Sequence, residues 1–139
     1  MPRRRVVIDS GPLVALFDRD DAHHEAAKKF LQGFDGELVA NLAVLTEVVN
    51  LLDFSLQAQV DFLRWVGDGA ITLVELIQGD LDQAIGLLEK YSDLPADFAD
   101  VTLIVLSERL GLHEVASVDR DFGIYRLQKK KPFKNVFWG

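Results

Sequence analysis

Three consecutive β-branched residues, Val6, Val7 and Ile8, follow Arg5, and the run breaks at Asp9-Ser10-Gly11-Pro12. A short apolar run of this kind predicts a buried strand, and the break offers an N-cap hydroxyl at Ser10 and a proline suited to a first helical turn. Ala22, Ala26, Ala27, Phe30 and Leu31 then recur at helical spacing, predicting a helix from Asp20 or Asp21 to Gln32 with Gly33 and Gly36 at its exit. Residues 37–40 read as a short strand. Val44, Leu45, Val48, Val49, Leu51 and Leu52 predict a helix over 43–52 whose only acid is Glu47. A helix over 56–66 is broken by Gly67 and Gly69 before a strand over 70–75. Helices over 81–91 and 97–110 are separated by Leu94-Pro95, and Gly111 closes the second as a C′ glycine. A fourth strand over 114–118 ends at Asp119, and Val136-Phe137-Trp138 reads as a short edge strand.

Strands alternating with helices predict an α/β fold, a mostly parallel sheet covered by helices on both faces through right-handed crossovers. At 139 residues, without internal repeat or low-complexity segment, the expectation is one domain over 1–139. No apolar run approaches the roughly 18 residues of a membrane helix, and the run after the first arginines is too short for a signal peptide, so a cytoplasmic protein is expected.

Composition narrows the chemistry. There is no cysteine, so a bound metal must be held by oxygen or histidine. The 22 acidic residues outnumber the 15 basic ones, for a net charge of -7, whereas phosphate-binding surfaces are usually basic. The bases gather at the ends, Arg3, Arg4 and Arg5 at one, and Arg126, Lys129, Lys130, Lys131 and Lys134 at the other. These ends are either phosphate contacts or solvated termini. His23 and His24 are adjacent on a charged helix and are expected on a solvated face, and His113 in a turn. Trp65 is expected in packing or an interface, and Trp138 as an edge-strand anchor.

The acids carry the sharper signal. Asp9 and Asp119 end strands on one rim of the sheet, where ligands of open α/β sheets bind. Glu47 stands alone in an apolar helix, and Asp97 and Asp100 share a face of another helix's opening turns. Each alone reads as a cap or dipole partner. Gathered together, two carboxylates roughly 6 Å apart repel by about 3 kcal/mol at an effective dielectric near 20. Mg²⁺ or Mn²⁺, hard cations suited to oxygen ligands, would relieve that repulsion.

Four segments in order, Val7-Ile8-Asp9-Ser10-Gly11, Leu45-Thr46-Glu47-Val48, Leu94-Pro95-Ala96-Asp97-Phe98-Ala99-Asp100 and Ser117-Val118-Asp119-Arg120-Asp121-Phe122, resemble the acidic blocks of the PIN-domain family, especially its VapC-type toxins. Ser117, where members often have threonine, and Val101, where alanine is common, depart from the pattern without removing a carboxylate. The resemblance implies a five-stranded parallel sheet with the first and fourth strands adjacent. It further implies a Mg²⁺-dependent ribonuclease acting as the toxin of a type II toxin-antitoxin pair, with a cognate antitoxin and a homodimer. Asp9, Glu47, Asp100 and Asp119 are then the catalytic acids. Asp9 and Asp100 are direct metal ligands, Asp119 ligates the same or a second ion, and Glu47 orients or deprotonates water. Ser10, Thr46, Asp97 and Ser117 are supporting residues, with capping and helix back-bonding the alternatives for Ser10 and Thr46. Lys129, Lys130 and Lys131 are candidate RNA contacts. A PIN fold that binds RNA or protein without turnover is the alternative. A phospho-receiver fits poorly, because the third strand ends Val74-Glu75-Leu76 rather than at an acceptor aspartate.

Overall fold

The computed structural model describes residues 3–94, 97–118 and 132–138. In chain order these form β1 (Arg5–Ile8), α1 (Ser10–Phe17), α2 (His24–Gly33), β2 (Glu37–Ala40), α3 (Leu42–Leu51), α4 (Leu56–Trp65), β3 (Ile71–Leu73), α5 (Asp80–Lys90), α6 (Phe98–Leu110), β4 (Glu114–Ala116) and β5 (Lys134–Asn135). The sheet is five-stranded, in the order β3-β2-β1-β4-β5, and every pairing is parallel. The order reverses at β1, so right-handed crossovers put α1 to α4 on one face and α5 and α6 on the other. β1 is paired on both sides, which explains why Val6, Val7 and Ile8 are all essentially fully buried.

α6 has no exposed stripe beyond its first residue until its last turn: every side chain from Ala99 to Ser107 is buried. Its two buried hydroxyls bond back into the helix, Thr102 Oγ1 to the Ala99 carbonyl and Ser107 Oγ to that of Leu103, both at 2.7 Å, so burial leaves neither unpaired. α5 is fixed against α6 by Arg109, whose guanidinium donates to Asp80 Oδ2 at 2.7 Å and to the Glu75 carbonyl.

Several expected boundaries move, each for a local reason. α2 starts at His24, because Asp18 and Asp21 accept the backbone N–H groups of Asp20 and His23 and hold residues 18–23 in turns. The third strand shortens to Ile71–Leu73, since Val66–Ala70 forms a widened turn in which Gly69 takes φ 103°, a conformation that favours glycine. The edge strand is Lys134–Asn135 rather than 136–138: Asn135 Oδ1 accepts the Phe137 N–H at 3.1 Å and turns the chain away from β4. The cap of α1 is the Asp9 carboxylate, not the Ser10 hydroxyl, with Oδ1 accepting Ser10 N–H at 2.8 Å.

Candidate active site

Asp9 stands one residue beyond β1, its N–H donating to the Ala116 carbonyl at 3.0 Å and so extending the ladder with β4 to the rim. Its carboxylate is 5% exposed. Oδ2 accepts the hydroxyl of fully buried Ser117 at 2.9 Å, so β1 and β4 are stitched by side chains where their backbone pairing ends. Ser117 is held in turn by Asn135, whose Oδ1 accepts the Ser117 N–H and whose Nδ2 donates to the Ser117 carbonyl at 2.9 Å. The sequence reading missed Asn135, a short polar residue whose role arises from pairing 18 positions away.

Ser10 begins α1 and donates its hydroxyl to Glu47 Oε1 at 2.6 Å, which carries the helix α3 acid to the same rim. α3 is started there by Asn41, buried at the end of β2, whose Oδ1 accepts the Val44 N–H at 3.1 Å. Asn41 is a second residue that the sequence reading passed over. Thr46 does not reach the cluster: its hydroxyl bonds back to the Leu42 carbonyl at 2.9 Å and the side chain is exposed.

Asp97 and Asp100 close a reciprocal capping box at the start of α6. Asp97 Oδ1 accepts the Asp100 N–H at 2.9 Å, and Asp100 Oδ2 accepts the Asp97 N–H at 3.1 Å. The box satisfies two backbone donors and aims the 8%-exposed Asp100 carboxyl at the rim. Burial, reinforced by the charge of Asp9 and more weakly by Asp97 and Glu47, pushes the Asp100 carboxyl up to about 8. Burial raises the Glu47 carboxyl above its ordinary range; the Ser10 hydroxyl opposes this, while a hydrogen bond with Asp97 and the charges of Asp97 and Asp9 add to it. An open groove of about 490 Å³ runs beside Glu47 and Asp97, floored by Ala43, Ala99, Leu51 and Phe98.

Asp9, Glu47, Asp97 and Asp100 thus interact electrostatically, and Ser10 and Ser117 hold two of them. Among the described residues no three acids or histidines form a ready-made metal cage. Asp119 and Lys129, Lys130 and Lys131 lie outside the described residues. The donor chemistry fits a hard divalent cation: oxygen ligands only, mutually repelling, and no lysine or arginine among the described residues paired with Glu47, Asp97 or Asp100.

Other expected positions resolve differently. His23 and His24 are half-buried rather than solvated. The His23 ring meets Trp138 edge-on at 5.3 Å, and His24 Nδ1 lies 2.7 Å from the Ala15 carbonyl. Trp65 packs on Phe17 at 5.5 Å. The first arginines serve the fold: Arg3 donates to the Gly36 carbonyl at 2.6 Å, Arg4 grips both Glu114 oxygens, and Arg5 lies 3.7 Å from Glu37. They sit at the amino ends of β1 and β4, the opposite end of the sheet from the acids, so they are not backbone contacts for a strand lying in the acidic rim.

A parallel sheet with acids gathered where the strand order reverses is the architecture of an α/β domain that binds its ligand at that rim, and the family follows from the chain's own match. The chain belongs to the PIN domain family, whose model matches residues 6–129. It is 26% identical over 117 residues to Ribonuclease VapC26 of Mycobacterium tuberculosis, spanning 83% of this chain and 87% of that protein. Its fold is similar to the crystal structure of Mycobacterium tuberculosis VapC20, described as a sarcin-ricin loop cleaving toxin. The TM-score is 0.79, with 20% identity over 86% of this chain and 93% of that one. A toxin-antitoxin complex from Klebsiella pneumoniae matches with a TM-score of 0.63 and 17% identity, over 84% of this chain and 89% of that one.

Proposed function

We propose that this chain, a single catalytic domain, is a metal-dependent ribonuclease of the VapC type that hydrolyses RNA phosphodiester bonds and serves as the toxin of a type II toxin-antitoxin pair in the cytoplasm. The observation that carries the reading is the Asp100 carboxyl, buried, facing the charge of Asp9 and held up to about 8. Carboxyls so placed hold their charge at neutral pH only beside a cation. Asp9 and Asp100, with Asp119, would hold Mg²⁺ or Mn²⁺. When bound, such an ion polarises a phosphoryl oxygen and makes a water more acidic.

The remaining work falls to the chain's own groups. Glu47, with its basicity raised by burial, takes the proton from the attacking water, and the Ser10 hydroxyl fixes the oxygen that receives it. Ser117 fixes Asp9, and Asp97 fixes Asp100 while sharing a hydrogen bond with Glu47. Lys129, Lys130 and Lys131 contact the RNA backbone.

The relatives named as VapC proteins, and the neighbour solved as a toxin-antitoxin complex, support a protein partner for this chain. Leu51, Phe54 and Leu56 are more than half exposed at the end of α3 and just after it, and Leu51 lines the acidic groove. An antitoxin segment would lie on those side chains and place an arginine among the carboxylates, pairing with two at once. α4, with Leu63 exposed, is the proposed homodimer face.

Purified protein incubated with structured RNAs tests the reading. Cleavage should vanish in EDTA, return with Mg²⁺ or Mn²⁺, and be lost in Asp9→Asn and Asp100→Asn. Undiminished cutting in excess EDTA would overturn the mechanism, and RNA binding without cutting under every divalent condition would make the chain a binding module.

A further inference from the structure

A second cavity, of about 520 Å³, opens between α2 and the 134–138 segment, with Arg4, at the end of β1 away from the acids, in its lining. Its size is that of a small-ligand site. Its character is opposite to the rest of a chain of net charge -7: Arg4, Lys29 and Lys134 line it, with no acid among the lining residues. Arg4 is already committed to Glu114 through two hydrogen bonds. Lys29 and Lys134 form no ion pair within 4 Å among the described residues and are exposed, and Lys134 stands opposite Glu114 across β4 and β5, where its charge helps hold that carboxyl down.

The floor between them is aromatic and continuous. Phe30 stacks on Phe34 at 5.4 Å and meets Phe137 at 5.6 Å, Phe137 meets Trp138 edge-on at 4.9 Å, and the Arg4 guanidinium lies over Phe34 at 5.6 Å. Trp138 remains 39% exposed at the edge. Exposed cations beside ring faces are what grooves for single-stranded nucleic acid combine, the cations meeting phosphate and the rings meeting bases. An acidic peptide would satisfy the lysines alone and leave the rings unused.

We propose that the cleft between α2 and the 134–138 segment is an exosite for single-stranded RNA, with Lys29 and Lys134 on a phosphate and the Phe34–Trp138 floor under a base. The proposal rests on the ribonuclease reading and adds to it a second grip on the substrate, in a cleft whose Arg4 wall stands about 16 Å from the acids by the five-residue span from Arg4 to Asp9. It helps explain how an acidic protein retains RNA although its first arginines serve the fold: the cleft adds attraction to that of Lys129, Lys130 and Lys131.

Gly33 provides a clean test, because it lines the cleft at the end of α2 and a Cβ built there meets nothing within 4 Å. Gly33→Trp should fill the cleft without disturbing the fold, which an unchanged melting temperature would verify. Binding of a short fluorescent oligoribonucleotide is read by anisotropy in EDTA, across a salt series. The Lys29→Ala, Lys134→Ala double variant should bind about tenfold more weakly at low salt, with a salt slope shallower by about 0.7, the value for one lost single-strand phosphate contact. Gly33→Trp should also weaken binding, and with Mg²⁺ both variants should raise KM on a long RNA and leave kcat unchanged. Wild-type affinity and slope in both variants, in a protein that still cuts RNA, would overturn the exosite and leave the ribonuclease reading standing. Preferential capture of a polyglutamate peptide through the same residues would likewise overturn it, in favour of an acidic protein partner. A wild type that neither binds nor cuts RNA would overturn both.

Discussion

Asp100 accepts the Asp97 N–H through Oδ2 while facing the charge of Asp9, so one carboxyl both ties down the start of α6 and raises the electrostatic energy of the rim. Asparagine at this position keeps the acceptor and removes the charge. In the metal-free protein the folded-state pKa of Asp100 lies near 8, above the roughly 3.9 of an unfolded chain. Between these values the unfolded chain has lost a proton that the folded one retains, so stability is full below about pH 4 and is lost as pH rises to about 8. Melts in EDTA should therefore show a melting temperature that falls over this window, with a flatter profile for Asp100→Asn. At the upper end of the window the variant should be more stable by on the order of 1 to 2 kcal/mol, or roughly 2 to 8 °C, while cleavage is abolished. Mg²⁺ should raise the wild-type melt more than the variant's. A lowered melt in EDTA with an unaltered Mg²⁺ shift would reduce Asp100 to a helix cap. Ser10 offers an independent check on Glu47. Its hydroxyl holds the Glu47 pKa down, so Ser10→Ala should move the acidic limb of the kcat profile to higher pH, and an unmoved limb would remove Glu47 as the proton acceptor. Thr46→Val, by contrast, should leave kcat at the wild-type level, since that hydroxyl is spent on the Leu42 carbonyl.

The first turn of α1 comes unusually close to the segment after β4. A Cβ at Gly11 would sit 2.4 Å from Val118 Cγ2, the end of a stiff β-branched side chain. Alanine normally stabilises a helix relative to glycine by about 0.5 to 1 kcal/mol. Here Gly11→Ala should lower the denaturant midpoint instead, and Val118→Ala in the same background should recover most of the loss, as a double-mutant cycle would read. Additive losses would place the strain elsewhere. Elements of this kind were partly legible in the sequence: the β-branched run marked β1, the periodicity of Val44, Leu45 and Val48 marked α3, and Gly111, in the left-handed region at φ 69°, ended α6 where expected. The start of α2 was not, because side chains of Asp18 and Asp21 compete for backbone donors without altering the apolar pattern. Asp9, Asp97 and Asp100 were legible as acids near element ends and Glu47 as the lone acid of an apolar helix, while Asp119 lies outside the described residues. Their supports were not, since Ser117 and Asn135 acquire meaning only when β4 and β5 lie side by side.

At the scale of the whole chain, charge and topology divide the labour. The acids occupy one end of the parallel sheet and the paired arginines the other, so the net charge of -7 describes neither end. No helix among the described residues is long and apolar enough to cross a membrane. The Asp9–Ser117 hydrogen bond joins groups 108 positions apart, and β1 pairs with β4 through Val7 with Val115 and Ile8 with Ala116. Contacts so distant in sequence form late, after the intervening chain has been made and its loop closed. A ribosome translating this protein thus releases Asp9 and Glu47 well before Ser117, the residue that fixes Asp9, has emerged. On the proposed function, the growing chain stays harmless to the RNA of the machine synthesising it until Ser117 can reach Asp9, and the antitoxin is needed only from that moment.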